Sequence, residues 1–119
     1  MKNHQIILAI ASNQDRQEIY TLRHSIYAQE LNQHSTNSLQ QLTDSLDSEN
    51  NYIVAKQDNK IIGFISITSP NAKKYSVEKY FSRSEIPFVF DEYLYEIRLL
   101  TVLTKNRYSY VALSLMFAA

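Results

Sequence analysis

The chain contains no cysteine and no tryptophan, a single glycine, Gly63, and two prolines, Pro70 and Pro87. Without cysteine, disulfides, thiolate metal sites and a thiol nucleophile are excluded. One glycine in 119 residues is far below the usual share of roughly 7%. Loops that cradle phosphate usually draw on glycine, because the backbone must approach the ligand closely. Charge of one sign is also missing: 12 lysines and arginines balance 12 acidic residues. No overall field therefore draws the chain to nucleic acid or to an acidic membrane. The apolar run that begins after Gln5 ends by Ala11, too short to span a bilayer, and it reads as a first strand rather than a secretory signal. A cytoplasmic protein is the resulting expectation.

At this length the chain is one domain or less, with room for one modest core. Gln5 to Ala11 is β-prone, and Ser12 with Asp15 three residues on has the form of a capping box. Within Gln14–Leu31 the apolar Ile19, Leu22, Ile26 and Tyr27 recur at helical spacing. Polar Asn32 to Ser38 breaks that helix, and Leu39 to Leu46 forms a short second helix or an ordered loop. Asn51 to Lys56 and Lys60 to Thr68 read as strands joined by the turn residues Asp58 and Asn59. Pro70 ends the hairpin. An irregular connection over Asn71–Pro87, with a helical turn around Val77–Phe81, leads to a long strand from Tyr93 to Leu103. Lys105, Asn106 and Arg107 break it, and Ser109 to Ala119 is an apolar stretch at helical spacing. No repeat, low-complexity tract or interdomain linker interrupts the order.

The last helix has no stop signal: Leu113, Leu115, Met116 and Phe117 run to the terminal alanines without a glycine or polar cap. Such a surface calls for a cover, either a second copy of the chain or a further segment, and the domain reads as incomplete at its carboxy terminus.

Three patterns in this order carry a family resemblance. Tyr52-Ile-Val-Ala-Lys, a turn, then Ile61-Ile-Gly-Phe-Ile-Ser-Ile is the first. Glu96-Ile-Arg-Leu-Leu-Thr-Val-Leu is the second, and Arg107-Tyr-Ser-Tyr-Val-Ala the third. Together they resemble the central hairpin, fourth strand and cofactor loop of the GNAT acyltransferases, the loop having the form Arg/Gln-x-x-Gly-x-Gly/Ala. The implied fold is α/β, with a mixed, mainly antiparallel sheet flanked by helices. The implied activity is acyl transfer to an amine from acetyl-CoA or a longer acyl-CoA, acting as co-substrate, or from an acyl carrier protein. No metal is implied. In that family the long strand splays from its neighbour and offers its backbone to the pantetheine arm, here at Leu100, Thr101 and Val102. The next helix turns its amino terminus to the pyrophosphate, here at Arg107, Ser109, Tyr110, Val111 and Ala112. The departure is Tyr110, which stands where the pattern has its first glycine; it fits only if φ is negative and the side chain points outward.

A narrower resemblance links Leu22-Arg23-His24-Ser25-Ile26-Tyr27, Asp44 and Asp47, and the strand carrying Glu96 and Arg98 to autoinducer synthases and N-acyl amino acid synthases. Those enzymes move a fatty acyl chain onto an amine. The pair here is Glu-x-Arg where autoinducer synthases have Glu-x-x-Arg, and the tryptophan they usually carry after the first helix is missing.

Each candidate has a structural reading beside the functional one. Glu96 and Arg98, two apart on a strand, face the same way as Leu94, Leu100 and Val102. Glu96 then serves as general base and Arg98 holds an acceptor carboxylate, or the two form a half-exposed salt bridge. Arg23 and Tyr27 contact the substrate, or Arg23 faces solvent with its stem on Tyr27; the second is the stronger expectation. Asp44 and Asp47 read as a capped turn before a cation site. His4, His24 and His34 lack metal spacing and read as surface residues. Tyr75, Tyr80, Phe81, Phe88 and Phe90 make the long connection aromatic, as an acyl pocket or as anchors for the loop. The rival to an enzyme is a non-catalytic interaction module that docks through the last helix.

Overall fold

The computed structural model describes residues 5–30, 35–43, 47–48, 50–70, 72, 75–87, 89–103 and 110–119, with the backbone alone for Gln29 and Glu30. Four strands, β1 (Ile7–Ile10), β2 (Asn50–Gln57), β3 (Lys60–Thr68) and β4 (Glu96–Val102), lie side by side in chain order. All three pairings are antiparallel. The expected parallel component of a mixed sheet is therefore not found among the described strands. Helix α1 (Asn13–Arg23) follows β1, and α2 (Val111–Ala118) follows β4.

Local chemistry explains the boundaries. The Ser12 hydroxyl accepts the Asp15 N–H at 3.1 Å and the Asp15 carboxylate accepts the Ser12 N–H at 3.0 Å, so the capping box forms as the sequence predicts. Burial pushes the Asp15 carboxyl up, but the Lys56 ammonium at 2.8 Å and the Ser12 donors outweigh it and hold it below its ordinary value. The hairpin turn places Asp58 at φ 53° and Asn59 at φ 64°, the left-handed pair that matches the twist of two antiparallel strands. The long predicted first helix changes character at His24, where seven residues to Glu30 are π-helical. Residues 39–43 contain no helix, and 44–46 lie outside the described residues. Tyr93 belongs to a turn rather than to the long strand, which is shorter than its β-prone composition suggests.

Alternation along β2 and β3 sends side chains to opposite faces. One face packs Tyr52, Val54, Ile61 and Phe64 under Ile19 of α1. The other packs Ala55, Ile62, Ile65 and Val102 under Val111 and Leu115 of α2. Ile61 and Ile62 straddle the two faces because Ala55 pairs with Gly63 but Lys56 with Ile61, leaving Ile62 as a bulge. Gly63 is where α2 comes closest. A Cβ there would stand 2.9 Å from the Thr101 carbonyl, 3.0 Å from Val111 and 3.1 Å from Leu115. The only glycine in the chain is thus required by close approach rather than by a turn.

Candidate functional site

The arrangement centres on a break in β4. Phe64 pairs with Thr101 and Ser66 with Arg98, so Leu99 and Leu100 together oppose Ile65. Two residues against one is a β-bulge, and Leu99 supplies it with φ 58°, a conformation that costs a branched, non-glycine residue roughly 1–2 kcal/mol. The bulge shifts the alternation. Glu96, Arg98 and Thr101 pair with residues of the α1 face, whereas Val102 joins the apolar cluster under α2. The expectation that Leu100 and Val102 share a face with Glu96 and Arg98 is therefore corrected: the extra residue moves Val102 to the opposite side. Thr101 stabilises the bent geometry by donating to the Leu99 carbonyl at 3.0 Å. With that proton committed, the Tyr27 hydroxyl, 2.8 Å away, donates to Thr101 in turn. Tyr27 and Thr101, expected on the substrate and cofactor sides of a site, meet directly behind the bulge.

Deeper on the same face lies a polar cluster around Asp47. Arg23 reaches its two carboxylate oxygens at 3.0 and 2.8 Å and the Tyr52 hydroxyl at 3.0 Å. Tyr52 donates to Asp47 at 2.5 Å, and Asn50 links Asp47 to Ser66. Arg16 closes the top, donating to the carbonyls of Asp47 and Asn50. Arg98 stands 3.9 Å from Asp47 with its side chain 11% exposed. Arg23, Asp47, Asn50, Tyr52 and Ser66 are all buried. This overturns the solvent-facing reading of Arg23 and the capped-turn reading of Asp47: a buried guanidinium needs a carboxylate, and each is the other's partner. Asp44 lies outside the described residues. Burial pushes the Tyr52 hydroxyl up to about 12, Arg23 opposing and Asp47 adding. His24 is also buried rather than superficial, its Nε2 accepting the Asn37 N–H at 3.1 Å. His4 and His34 lie outside the described residues.

Glu96, at the start of β4, accepts the N–H of Ser76 at 2.6 Å and of Val77 at 3.0 Å, one on each oxygen. It thereby fastens a 3-10 turn, Ser76–Lys79, to the sheet. Glu78 ties the same turn to Tyr75 and to Arg83, whose guanidinium lies 4.6 Å from the centre of the Phe90 ring. Tyr75 is buried, meets Phe90 edge-on at 5.5 Å, and donates to the Leu94 carbonyl at 3.0 Å. These contacts enclose a cavity of about 180 Å³ bounded by Tyr75, Val77, Ile86, Phe90, Leu94 and Tyr95, with Glu96 in its wall. Of the aromatic residues expected either to line a pocket or to anchor the loop, Tyr75 and Phe90 do both. Tyr80 and Phe81 are exposed, and Phe88 lies outside the described residues. A larger hollow of about 680 Å³ near Leu103 is edged by Glu18, Asp58 and Lys60, a mixed set that does not favour a polyanion.

At the other end of β4, Arg107 and Ser109 lie outside the described residues. Tyr110 stands just before α2 with φ −80° and 80% of its surface exposed. It meets both conditions under which a tyrosine leaves a backbone-lined site open. The side chains of Val102 and Val111 are buried and Ala112 packs against the same cluster. Leu100 is 39% exposed.

The sequence reading missed Tyr52, Asn50 and Ser66 as members of the polar cluster, and Leu99 as its neighbour. A signal existed: Ser66 and Thr68 recur with period two in the otherwise apolar Ile61–Thr68 stretch, which marks a polar strip on one face. Among the described residues no helix is long and apolar enough to cross a membrane. Comparison of the chain with protein-family models, curated proteins and solved structures found no match.

Proposed function

We propose that this chain is a GNAT-type N-acyltransferase, moving an acyl group from acyl-CoA or an acyl carrier protein to a small amine. The observation that carries the reading is the bulge at Leu99–Leu100, on the outermost described strand and between Glu96 and α2. An edge strand leaves one row of backbone donors and acceptors without a neighbouring strand, and a bulge re-aims them locally. A thioester lying along that edge would have its carbonyl oxygen polarised by a strand N–H. The positive end of the α2 dipole would favour the donor's pyrophosphate, with Arg107 adding a charge-assisted contact.

In the reaction the amine nitrogen forms a bond to the thioester carbon and the carbon–sulfur bond breaks. The products are an amide and a free thiol, and the proton lost by nitrogen ends on the thiolate. Glu96 is the base in this scheme, taking the proton where the acceptor amine first binds. A strand rise of 3.2–3.4 Å per residue puts it roughly 10 Å from Leu99, so the amine then moves along the strand to reach the carbonyl. Arg98, held beside Asp47, orients the acceptor, and Tyr27 acts through Thr101 on the shape of the bulge.

The test is thermal unfolding of the 119-residue chain with acetyl-CoA and with a long-chain acyl-CoA, followed by thiol release on adding an amine. A donor at a hundredfold excess over its dissociation constant adds roughly 2.7 kcal/mol of stability, and a larger shift from the longer chain selects a fatty acyl donor. A cooperative transition that neither donor moves would reject the reading. It would favour an interaction module instead, which the exposed Leu113, Met116 and Phe117 of α2, with Leu8 of β1 nearby, support.

A further inference from the structure

The cavity beneath the β3–β4 connection is a partly open apolar space beside β4, and one charged group shares its wall. Its volume of about 180 Å³ is close to that of an engineered cavity of roughly 150 Å³ that binds a single benzene ring. Ile86, Phe90 and Leu94 make it apolar. The Tyr75 hydroxyl is turned to the Leu94 carbonyl at 3.0 Å. Arg83 lies over Phe90 but is paired with Glu78 at 2.6 Å, so its charge is compensated at the rim.

From this arrangement we infer that the cavity holds the side group of the acceptor, and that the acceptor is a primary amine carrying one aromatic ring or a compact branched group. The inference rests on the acyltransferase reading for the reaction but not for the binding. Glu96 gives the cavity its polarity. Each of its oxygens accepts one backbone N–H, and a carboxylate with about four lone-pair positions keeps capacity for an ammonium donor. A ring seated between Ile86 and Leu94 therefore places an amine on a short linker beside the carboxylate, with the bulge further along the same strand. Two classes are excluded by size and polarity. A long fatty chain exceeds the volume, and a polyamine would set a second cation against apolar walls.

Phenethylamine is the probe, titrated into the chain without any acyl donor while the amide signals of Val77, Phe90 and Glu96 are followed by NMR. It should bind at least tenfold more tightly than n-propylamine, which lacks the ring, and than 2-phenylethanol, which lacks the charge. Replacing Ile86→Phe fills the space from one wall and should abolish phenethylamine binding while the unfolding transition persists. Val77→Phe does the same from another lining position should the first variant fail to fold. Equal affinities for phenethylamine and n-propylamine would sink the ring pocket, and equal affinities for phenethylamine and 2-phenylethanol would sink the assignment of an amine. Binding that survives a folded cavity-filled variant would place the ligand elsewhere. Acyl-CoA that stabilises the chain while phenethylamine gives no shifts overturns this inference alone. The converse result rejects acyl transfer and leaves the amine site standing.

Discussion

Under α2 the sheet presents Ala55, Ile62, Ile65 and Val102 to Val111 and Leu115, a cluster of aliphatic side chains. Under α1 the same strands bury Arg23, Asp47, Asn50, Tyr52 and Ser66 as deeply, joined by hydrogen bonds and an ion pair. Aliphatic contacts are non-directional and sum in small increments, so the α2 face tolerates exchange as long as volume is kept. The polar face behaves otherwise. Each member is hydrogen-bonded to another, and removing one leaves a desolvated partner. The α2 face fastens a helix, whereas the α1 face fixes positions, and it is the α1 face that holds Glu96, Arg98, Thr101 and Tyr27 near the bulge.

The sharpest way to break this contrast is Asp47→Ala, which strands the Arg23 guanidinium in the interior. A loss of about 3–5 kcal/mol is expected for a buried ion pair broken on one side, read from urea unfolding. Replacing Arg23→Met and Asp47→Leu together should recover most of it. If the double variant is no better than the single, the network contributes more than the pair.

Alkali tests the same face through Tyr52. Its pKa is raised to about 12 in the folded protein against roughly 10 unfolded. Its contribution is complete below the unfolded value and is lost as pH rises through the folded one. Stability should therefore fall by about 1.4 kcal/mol per pH unit between roughly pH 10 and pH 12, and Tyr52→Phe should flatten that slope. Tyr75, also raised chiefly by burial, leaves a smaller residual slope in the variant.

On the apolar face the contrast is sharpened by Gly63→Ala. The new Cβ meets a backbone carbonyl that cannot move aside easily, and overpacking of this kind costs about 1–3 kcal/mol. Hydrogen exchange should accelerate in α2 and not in α1. The smallest effect is expected from Tyr27→Phe, about 1 kcal/mol for one hydrogen bond. Its signature lies in function: donor affinity should change more than stability if the Tyr27–Thr101–Leu99 relay shapes the bulge.

Much of the scaffold was legible in the sequence because its signals are local. The Ser12–Asp15 cap, the Asp58–Asn59 turn and the limits of β3 each depend on residues a few positions apart. The site was less legible because its geometry is not local. The Glu96–Arg98–Leu100–Val102 alternation looks unbroken until pairing with β3 forces the extra residue at Leu99. Burial of Arg23, Asp47 and His24 was equally hidden, since charged and polar residues are usually exposed and only the partner across space reverses that. The π-helical turn after Arg23 likewise carries no glycine or proline to announce it.

The order of strands also has a kinetic meaning. β2 and β3 are joined by a two-residue turn, while β1 waits for its place until the whole segment holding α1 has been drawn together. Closing that longer loop costs on the order of 2–3 kcal/mol more in chain entropy. The β2–β3 hairpin is thus the surface that the rest of the chain finds already formed. Early in refolding its two faces are still alike in being uncovered, and only the arrival of the helices makes one side polar and fixed and the other apolar and forgiving.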